Sequence, residues 1–410
     1  MDKFLEQRAL CPVFKKYAYL LTGSTGPIPT YVYEGVKDYM DRRLTEGGDA
    51  VFRGEGTFTM IARVREVFGQ MLGCSGSDIA FGPNSSAMFC IFTQGLPFEK
   101  GDNIVTSRDT FISMAYALDM LRREGLEVRY VESQNGVVPT QAILDACDGR
   151  TRAVALCHVE SSTGYRHDLA AIGAFCRERG IWLAVDAVHS VGVLPVNVEE
   201  MKVDFLCGSD YKWMMNFCGV GYAYVSPALR AVLKQRGAGW LSVKQLFATG
   251  LFEADLADGA SRYEMGYPFA PGIFTMGEVA SRYLALGKRD VEEYVLSLAQ
   301  YFYDSVRGRK DVSILSEYGR GARLRAGQHC NSGALWRHRE EAAGKGLYLP
   351  LRDGHRGGGP AAGIPLQRVR QHAGGRGPGA AADRGLLRLR HFVQRLSQCH
   401  HCRPQGQPLD

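Results

Sequence analysis

Residues 208–225, GSDYKWMMNFCGVGYAYV, place a lysine in unusual surroundings. Lys212 stands between Tyr211 and Trp213, directly after the apolar run 203–207 and before a glycine-rich apolar segment. An amine in a desolvated pocket lined by aromatic rings loses proton affinity and becomes a nucleophile. Lys212 is therefore a candidate to form a Schiff base with an aldehyde.

Further polar residues stand at the ends of predicted strands or at the start of a helical pattern. They are Asp186, His189, Ser161, Ser209, Tyr211, Ser85 and Ser86. A carboxylate that faces a pyridine nitrogen keeps it protonated and makes the ring an electron sink. A serine-rich helix N-terminus offers free N–H groups to a phosphate. Together with Lys212, these groups predict a pyridoxal phosphate site.

Each of these signals also has an ordinary structural explanation. A serine pair at a helix start is usually a cap, and an aspartate after a strand is often a turn residue. A lysine beside aromatic residues can lay its stem on them and keep its ammonium in water. The combination is more specific, because Asp186 closes one strand and Lys212 follows another strand 26 residues later.

Short strand-like runs alternate with helical patterns along residues 1–320. The runs are IVTS (104–107), EVRYVE (127–132), AVALCHV (153–159), WLAVDAV (182–188), DFLCGS (204–209) and GYAYVS (221–226). Alternation of this kind, with continuously apolar strands, predicts a parallel sheet covered by helices on both faces. In such sheets the functional residues collect at the carboxyl ends of the strands.

The composition is that of an ordinary globular protein, with 410 residues of which 45% are hydrophobic and 22% charged. The N-terminus lacks the apolar stretch of a signal peptide, and no apolar run is long enough to cross a bilayer. Eleven cysteines show no disulfide spacing. We therefore expect a cytoplasmic protein with reduced thiols and no membrane partner.

The net charge of +6 comes from the last ninety residues. Residues 321–410 hold 14 Arg and 1 Lys against 5 acids, which leaves residues 1–320 with a net charge of −4. The basic pI is thus no argument for a nucleic-acid partner. The run GHRGGGPAAGIPLQRVRQHAGGRGPGAAADRG (354–385) is rich in breakers and lacks helical or strand periodicity. A disordered tail, a basic interaction arm and an out-of-frame segment are the three alternatives.

The chain resembles the fold-type I pyridoxal phosphate enzymes of aminotransferase class V, a group that includes cysteine desulfurases and isopenicillin-N-epimerase-like proteins. The similarity runs from YLLTGSTGPIP (19–29) to about residue 290. It includes GTFTMIARVREVFGQMLGC, VDAVHSVGVLPVNVEEMKVDFLCGSDYKW, CGVGYAYVSP and RYEMGYPFAPGIFTMGEVA. The resemblance implies a homodimer with active sites at the subunit interface.

The resemblance also implies roles for individual residues. Lys212 would be the Schiff-base lysine and would move the α-proton of an amino-acid substrate. Asp186 would pair with the pyridinium nitrogen, His189 would lie near the 3-oxygen of the ring, and Ser161 matches an asparagine that contacts this oxygen. Phe111 would stack on the ring. The phosphate would be surrounded by Ser85, Ser86, Ser209 and Tyr211, with Tyr267 reaching that of the partner subunit.

Three positions depart from the family pattern. Phe111 replaces a histidine thought to assist proton transfer, Ser161 is shorter than asparagine, and Tyr267 replaces threonine. Arg356 is the nearest candidate to hold the substrate carboxylate, but the family sequence expected after it is missing. In the neighbouring frame, codons for the stretch 355–372 can encode a family-like segment, so an out-of-frame tail is the favoured alternative.

Two cysteine motifs in the last ninety residues are weaker candidates for a functional site. RAGQHCNSG around Cys330 resembles the loop that bears the persulfide cysteine of one desulfurase group, but the match is short. CHHC (399–402) has metal-ligand spacing without a second half-site, so no metal is expected.

We therefore predict an α/β fold with a mostly parallel, seven-stranded type of sheet covered by helices, and a smaller α+β domain. Residues 1–30 would join the small domain, 31–285 form the large cofactor domain and 286–354 the small domain, followed by the anomalous tail 355–410. The predicted reaction is β-elimination with C–S cleavage, epimerisation or transamination of an amino acid, in a relative from specialised metabolism. The alternatives are a cysteine desulfurase that uses Cys330 and a non-catalytic protein that keeps the fold for binding.

Overall fold

The computed structural model describes residues 3–17, 19, 21–48, 56–246 and 253–308. The strands are β1 Ile79–Gly82, β2 Asn103–Ser107, β3 Glu127–Val131, β4 Thr151–Cys157, β5 Trp182–Asp186, β6 Phe205–Ser209 and β7 Gly221–Val225. The α-helices are Lys3–Ala9, Thr30–Glu46, Thr57–Leu72, Ser85–Gly95, Ile112–Arg123, Thr140–Asp145, Leu169–Arg179, Pro227–Val232, Ala270–Leu286 and Lys288–Val306. Most of the expected small domain and the whole of the tail 355–410 lie outside the described residues.

The seven strands form one sheet in the order β1-β7-β6-β5-β4-β2-β3. β7 pairs antiparallel with both of its neighbours, and the other pairs are parallel. The predicted fold class, a mostly parallel sheet covered by helices, is confirmed. The sequence patterns located six of the strands and missed β1, whose four residues are too few to show a pattern. Two antiparallel steps make β1 run in the same direction as β6, so both strands end at the same edge.

The two faces of the sheet follow the alternation of side chains along each strand. Val154 and Leu156 of β4 lie in a core shared with the helices Thr57–Leu72 and Leu169–Arg179. Ala153 and Ala155 point to the other face, where the helices Ser85–Gly95 and Ile112–Arg123 pack. Small residues on that face also occur in β5 and β7, at Ala184 and Ala223. A methyl group leaves room for a close helix, so the N-terminus of Ser85–Gly95 can approach the strand ends.

The helix Leu169–Arg179 has a capping residue at each end, as its sequence predicts. Asp168 caps the N-terminus by accepting a hydrogen bond from the Ala171 N–H at 3.0 Å. Gly180 ends the helix in the left-handed region, with a φ of 64°.

The N-terminal segment packs against the last described helix, Lys288–Val306. The ring of Phe4 stacks on Tyr294 with centroids 4.2 Å apart, and Lys3 donates a hydrogen bond to the Leu286 carbonyl at 2.7 Å. These contacts join the two segments that were assigned to the small domain. The domain boundaries themselves stay a prediction.

Within the described residues, no helix is both long and apolar enough to cross a membrane. The eight cysteines in this part of the chain are all free thiols.

Candidate active site

The carboxyl edge of the sheet gathers most of the predicted site residues. β4 and β5 pair Cys157 with Asp186, and β5 and β6 pair Asp186 with Cys207, so these three residues form a row along the edge. Lys212 follows the end of β6, and Ser85 follows the end of β1. The sheet register therefore brings the lysine, the carboxylate and the helix N-terminus to one crevice.

Lys212 is buried, with 7% of its surface exposed. Its Nζ lies 5.7 Å from the ring centre of Phe111 and 5.9 Å from that of Tyr211. Burial lowers the pKa of Lys212, while the charges of Asp186 and Cys157 act in the opposite direction. The amine is thus biased towards the neutral, nucleophilic form.

Trp213, the second aromatic neighbour of Lys212 in the sequence, is not part of this pocket. Trp213 packs against Val159, Val193 and Leu194 instead. Its indole Nε1 is buried and has no hydrogen-bond partner among the described residues. The ring that completes the lysine pocket is Phe111, which comes from a different strand end and therefore could not be seen in the sequence around Lys212.

His189 is the direct partner of Lys212. The distance from Lys212 Nζ to His189 Nε2 is 2.6 Å, and the contact is buried. Burial and the neighbouring Lys212 charge lower the pKa of His189 to about 3, although backbone hydrogen bonds with Val159 and Gly23 oppose this shift. The imidazole is therefore neutral at physiological pH.

Asp186 is half-buried at the end of β5. The Val188 N–H donates to its Oδ1 at 2.9 Å, and Oδ2 receives no hydrogen bond from the described residues. Burial raises the pKa of Asp186 to about 6, against the opposing effects of the Val188 hydrogen bond and the Lys212 charge. A carboxylate with one oxygen held and the other available is suited to a cationic N–H partner.

The helix Ser85–Gly95 presents a possible anion site at its N-terminus. The Ser85 N–H donates to Ser209 Oγ at 2.8 Å, and the Asn84 side chain accepts from the Ala87 N–H at 2.9 Å. Among the described residues, the intervening Ser86 N–H has no acceptor. A Cβ at Gly221 would lie 2.5 Å from the backbone of Asn84, so glycine permits the close approach of β7 to this helix start. Free donors at a helix N-terminus favour a phosphate.

Phe111 follows β2 and Ser161 follows β4, and these two strands are neighbours in the sheet. The Phe111 N–H donates to Cys157 Sγ at 3.4 Å, and 38% of the phenylalanine surface is exposed, so its ring is open to a flat ligand. Ser161 is half-buried in the turn after β4. This turn is held by the buried pair His167 and Glu160, whose Nε2 and Oε1 atoms are 2.8 Å apart.

Of the remaining predicted residues, only Tyr267 lies in the described part of the chain. Tyr267 is 43% exposed and contacts Thr57, with its Oη 3.4 Å from Thr57 Oγ1. Its proposed contact with the phosphate of a partner subunit stays a prediction. Arg356 and Cys330 lie outside the described residues.

Two features of the crevice were missed from the sequence. Cys157 donates or accepts a hydrogen bond with Thr110 Oγ1 at 3.4 Å, beside Phe111. The segment 21–29 crosses the lysine turn, where the Gly26 N–H donates to the Tyr211 carbonyl at 2.8 Å. Its glycines were a visible signal, since close backbone approach requires a residue without a Cβ.

The donors and acceptors of this crevice fit pyridoxal phosphate. Lys212 offers an amine for the aldehyde, the Oδ2 of Asp186 an acceptor for the ring nitrogen, and the Ser86 N–H a donor for the phosphate. Phe111 offers an exposed ring for stacking.

The chain is similar to several cysteine desulfurases. A probable cysteine desulfurase of Methanothermobacter thermautotrophicus is 25% identical over 303 residues, which is 72% of this chain and 74% of that protein. The cysteine desulfurase IscS of Shewanella denitrificans is 38% identical over 144 residues, which is 34% of this chain and 35% of that protein. The chain therefore spans about three quarters of the first relative and about a third of the second.

Solved structures share the fold. A structure of C-DES with glycine covalently linked to its PLP cofactor superposes with a TM-score of 0.72 at 19% identity, covering 78% of this chain and 84% of that one. The apo cysteine desulfurase of Thermococcus onnurineus superposes with a TM-score of 0.67 at 21% identity, covering 75% and 77%.

These relatives do not support the expected enzyme of specialised metabolism, and the cysteine desulfurase alternative fits them better. The profile of the aminotransferase class-V family matches residues 18–331. By this match, the chain belongs to the aminotransferase class-V family of pyridoxal phosphate-dependent enzymes.

Proposed function

We propose that the protein is a cysteine desulfurase, which removes sulfur from cysteine and leaves alanine. The observation that carries the proposal is the buried Lys212 amine, held among His189, Asp186 and a serine-rich helix start in a chain whose relatives are named cysteine desulfurases. Bound pyridoxal phosphate would supply an electron sink for the charge that develops when the substrate loses its α-proton.

Each residue of the crevice would have its own role in binding the cofactor or moving a proton. Lys212 would hold the cofactor and then move the α-proton, since burial lowers its pKa and so favours the neutral amine that can accept a proton. Asp186 would keep the ring nitrogen protonated, while Ser85, Ser86, Ser209 and Tyr211 would orient the phosphate. His189 and Ser161 would lie beside the 3-oxygen, and Phe111 would cover one face of the ring. Burial of this edge would limit the access of water.

Cys330 is the proposed sulfur acceptor. It lies within the family match, one residue before its end. In the balanced reaction, the Cys330 thiol and cysteine give alanine and a persulfide on Cys330. Arg356 would bind the substrate carboxylate, and a homodimer would place Tyr267 near the phosphate of the partner subunit. A cytoplasmic location is part of the same proposal.

A second candidate is β-elimination from a sulfur-containing amino acid, favoured by Phe111. A phenyl ring can stack but has no titratable proton, so it cannot assist protonation of a product as a histidine would. Elimination from cysteine, followed by hydrolysis of the product with one water, gives sulfide, pyruvate and ammonia and needs no cysteine nucleophile.

The two candidates differ in their products and in their need for Cys330. The purified protein should be incubated with L-cysteine and excess thiol, and alanine and pyruvate should be quantified for the native protein, Cys330→Ala and Cys218→Ala. Cys218 is an exposed thiol in the described region and serves as the matched control. Alanine that disappears in Cys330→Ala alone supports the desulfurase. Pyruvate that persists in Cys330→Ala supports elimination, and no product from any amino acid tested would favour the non-catalytic binding protein.

A further inference from the structure

The contact between Lys212 and His189 brings together two buried nitrogens whose pKa values are both lowered by burial. Each residue is 7% exposed, and Nζ lies 2.6 Å from Nε2. A neutral amine has two N–H donors and one lone pair, so it can donate one hydrogen bond and keep the lone pair for an electrophile. The imidazole can accept that bond only through a ring nitrogen without a hydrogen.

The surroundings of His189 select that form of the ring. Backbone groups of Val159 and Gly23 hydrogen-bond the imidazole, and both contacts act to raise its pKa, as carbonyl acceptors do. A carbonyl that accepts the ring N–H leaves the other nitrogen as an acceptor. Since Nε2 faces Lys212, the tautomer with the hydrogen on Nδ1 satisfies both partners.

The backbone that provides Gly23 is also fixed to the lysine turn. The segment 21–29, here called the strap, joins this turn through the hydrogen bond from the Gly26 N–H to the Tyr211 carbonyl. A Cβ at Gly26 would lie 2.0 Å from the Lys212 carbonyl oxygen, so the two backbones are in direct contact. The strap therefore touches both the ring of His189 and the backbone of Lys212.

We propose that His189 is a positioning residue for Lys212, and that the strap holds His189 in place. The imidazole accepts one N–H of the amine, which fixes the direction of Nζ and leaves its lone pair towards the crevice. Phe111, across the same amine, offers no acceptor that could replace it. The proposal deepens the proposed function and rests on it in one respect, the assignment of Lys212 as the lysine that carries the cofactor.

The test measures the reactivity of Lys212 in the cofactor-free protein, without cysteine. The rate of Lys212 modification by trinitrobenzenesulfonate, followed by peptide mapping, is measured against pH for the native protein, His189→Leu and His189→Gln. Loss of one oriented hydrogen bond should slow the plateau rate of His189→Leu about five- to tenfold. Glutamine carries an amide oxygen that can accept the same bond, so His189→Gln should return to within about twofold of the native rate.

The pH profile separates positioning from a change in charge. The charged or titratable groups that face this pair are Asp186 at the end of β5 and Cys157 at the end of β4, which both act on the Lys212 amine, and Tyr211, whose ring centre lies 5.9 Å from Lys212 Nζ. They are unchanged in all three proteins, so a positioning role predicts a lower plateau. A native rate in His189→Leu, or a His189→Gln rate as low as that of His189→Leu, would overturn the proposal.

The strap is tested by Gly26→Ala, with Gly149→Ala as the control. The added Cβ at Gly149 meets no atom within 4 Å, whereas that at Gly26 meets the lysine turn. Gly26→Ala should reproduce the slow labelling of Lys212 although His189 is intact. A native labelling rate in Gly26→Ala would show that the strap does not hold His189 in place. A protein that labels as expected but releases no alanine or pyruvate from cysteine would refute the proposed function alone.

Discussion

The side chain of Asn216 donates a hydrogen bond to Asp210 Oδ2 at 2.5 Å, inside the turn that carries Lys212. A second bond from the same Nδ2 reaches the Gly272 carbonyl at 2.8 Å, and Thr275 Oγ1 donates to Asn216 Oδ1 at 2.9 Å. Asp210 is fully buried, and burial raises its pKa well above the ordinary value. A neutral carboxylic acid thus ties the lysine turn to the helix Ala270–Leu286.

This relationship predicts that Asn216→Ala is destabilising and that Asp210→Asn is nearly neutral. Removal of Asn216 leaves buried groups without a partner, at a cost of about 1–3 kcal/mol in the free energy of unfolding. Asparagine at position 210 keeps the acceptor for Asn216 and has the charge of the protonated acid. Urea unfolding at pH 7 measures both effects. Equal losses in the two variants would contradict a neutral Asp210.

Lys212→Ala should abolish covalent capture of pyridoxal phosphate. In the native protein, borohydride treatment of the cofactor-loaded form should fix the cofactor on the peptide that contains Lys212, as mass spectrometry would report. Lys244→Ala is a matched control, because Lys244 is an exposed lysine paired with Asp255 and Asp258. Label on any other lysine in the native protein would refute the assignment of Lys212.

Asp186→Asn should raise the stability of the cofactor-free protein at pH 7 while it lowers activity. The pKa of Asp186 is raised from 3.8 to about 6 in the folded state, so folding favours the protonated acid. Its contribution to stability is complete below pH 4 and is lost as the pH rises through 6. The unfolding free energy of the native protein relative to Asp186→Asn should therefore fall between pH 4 and 7, by on the order of 1–3 kcal/mol.

Urea unfolding of the two proteins across this pH range is the measurement. A constant difference would show that Asp186 titrates at its ordinary pKa. Activity should fall at every pH, because an amide cannot balance a protonated ring nitrogen as a carboxylate does.

Phe111→Leu should weaken retention of the cofactor by about two- to tenfold, since an aromatic contact contributes roughly 0.5–1.5 kcal/mol beyond its buried area. Phe111→His keeps an aromatic ring and should retain more cofactor than Phe111→Leu. Equilibrium dialysis of the cofactor gives both affinities. Tyr116→Leu, an exposed aromatic on the helix Ile112–Arg123, is the control and should match the native protein.

Gly221→Ala should weaken binding of the cofactor phosphate. The added Cβ would lie 2.5 Å from the Asn84 backbone and push β7 away from the helix start at Ser85. Affinities for pyridoxal phosphate and for pyridoxal, which lacks the phosphate, should then become more alike. Gly149→Ala, with open space around its Cβ, should keep the native preference. If Gly221→Ala binds both ligands as the native protein does, the phosphate does not bind at this helix start.

The sequence by itself determined the type of sheet and the principal groups of its edge. Alternating strand and helix patterns identified six of the seven strands, because apolar periodicity reports burial directly. Lys212, Asp186 and His189 could be named because Asp186 closes β5, His189 comes three residues later and Lys212 follows β6. Parallel strands end at a common edge. The short β1 lacked such a pattern, and only its pairing with β7 located it.

The tertiary structure decided which of these groups touch. Phe111 rather than Trp213 completes the lysine pocket. Phe111 follows β2, which lies on the same side of β5 as β4 in the sheet. Trp213 packs in a separate apolar cluster. The 2.6 Å contact of Lys212 with His189, and the strap over both, join residues far apart in sequence. Periodicity along a chain encodes the burial of each element, whereas contacts between strand ends depend on strand order and register, which no local pattern contains.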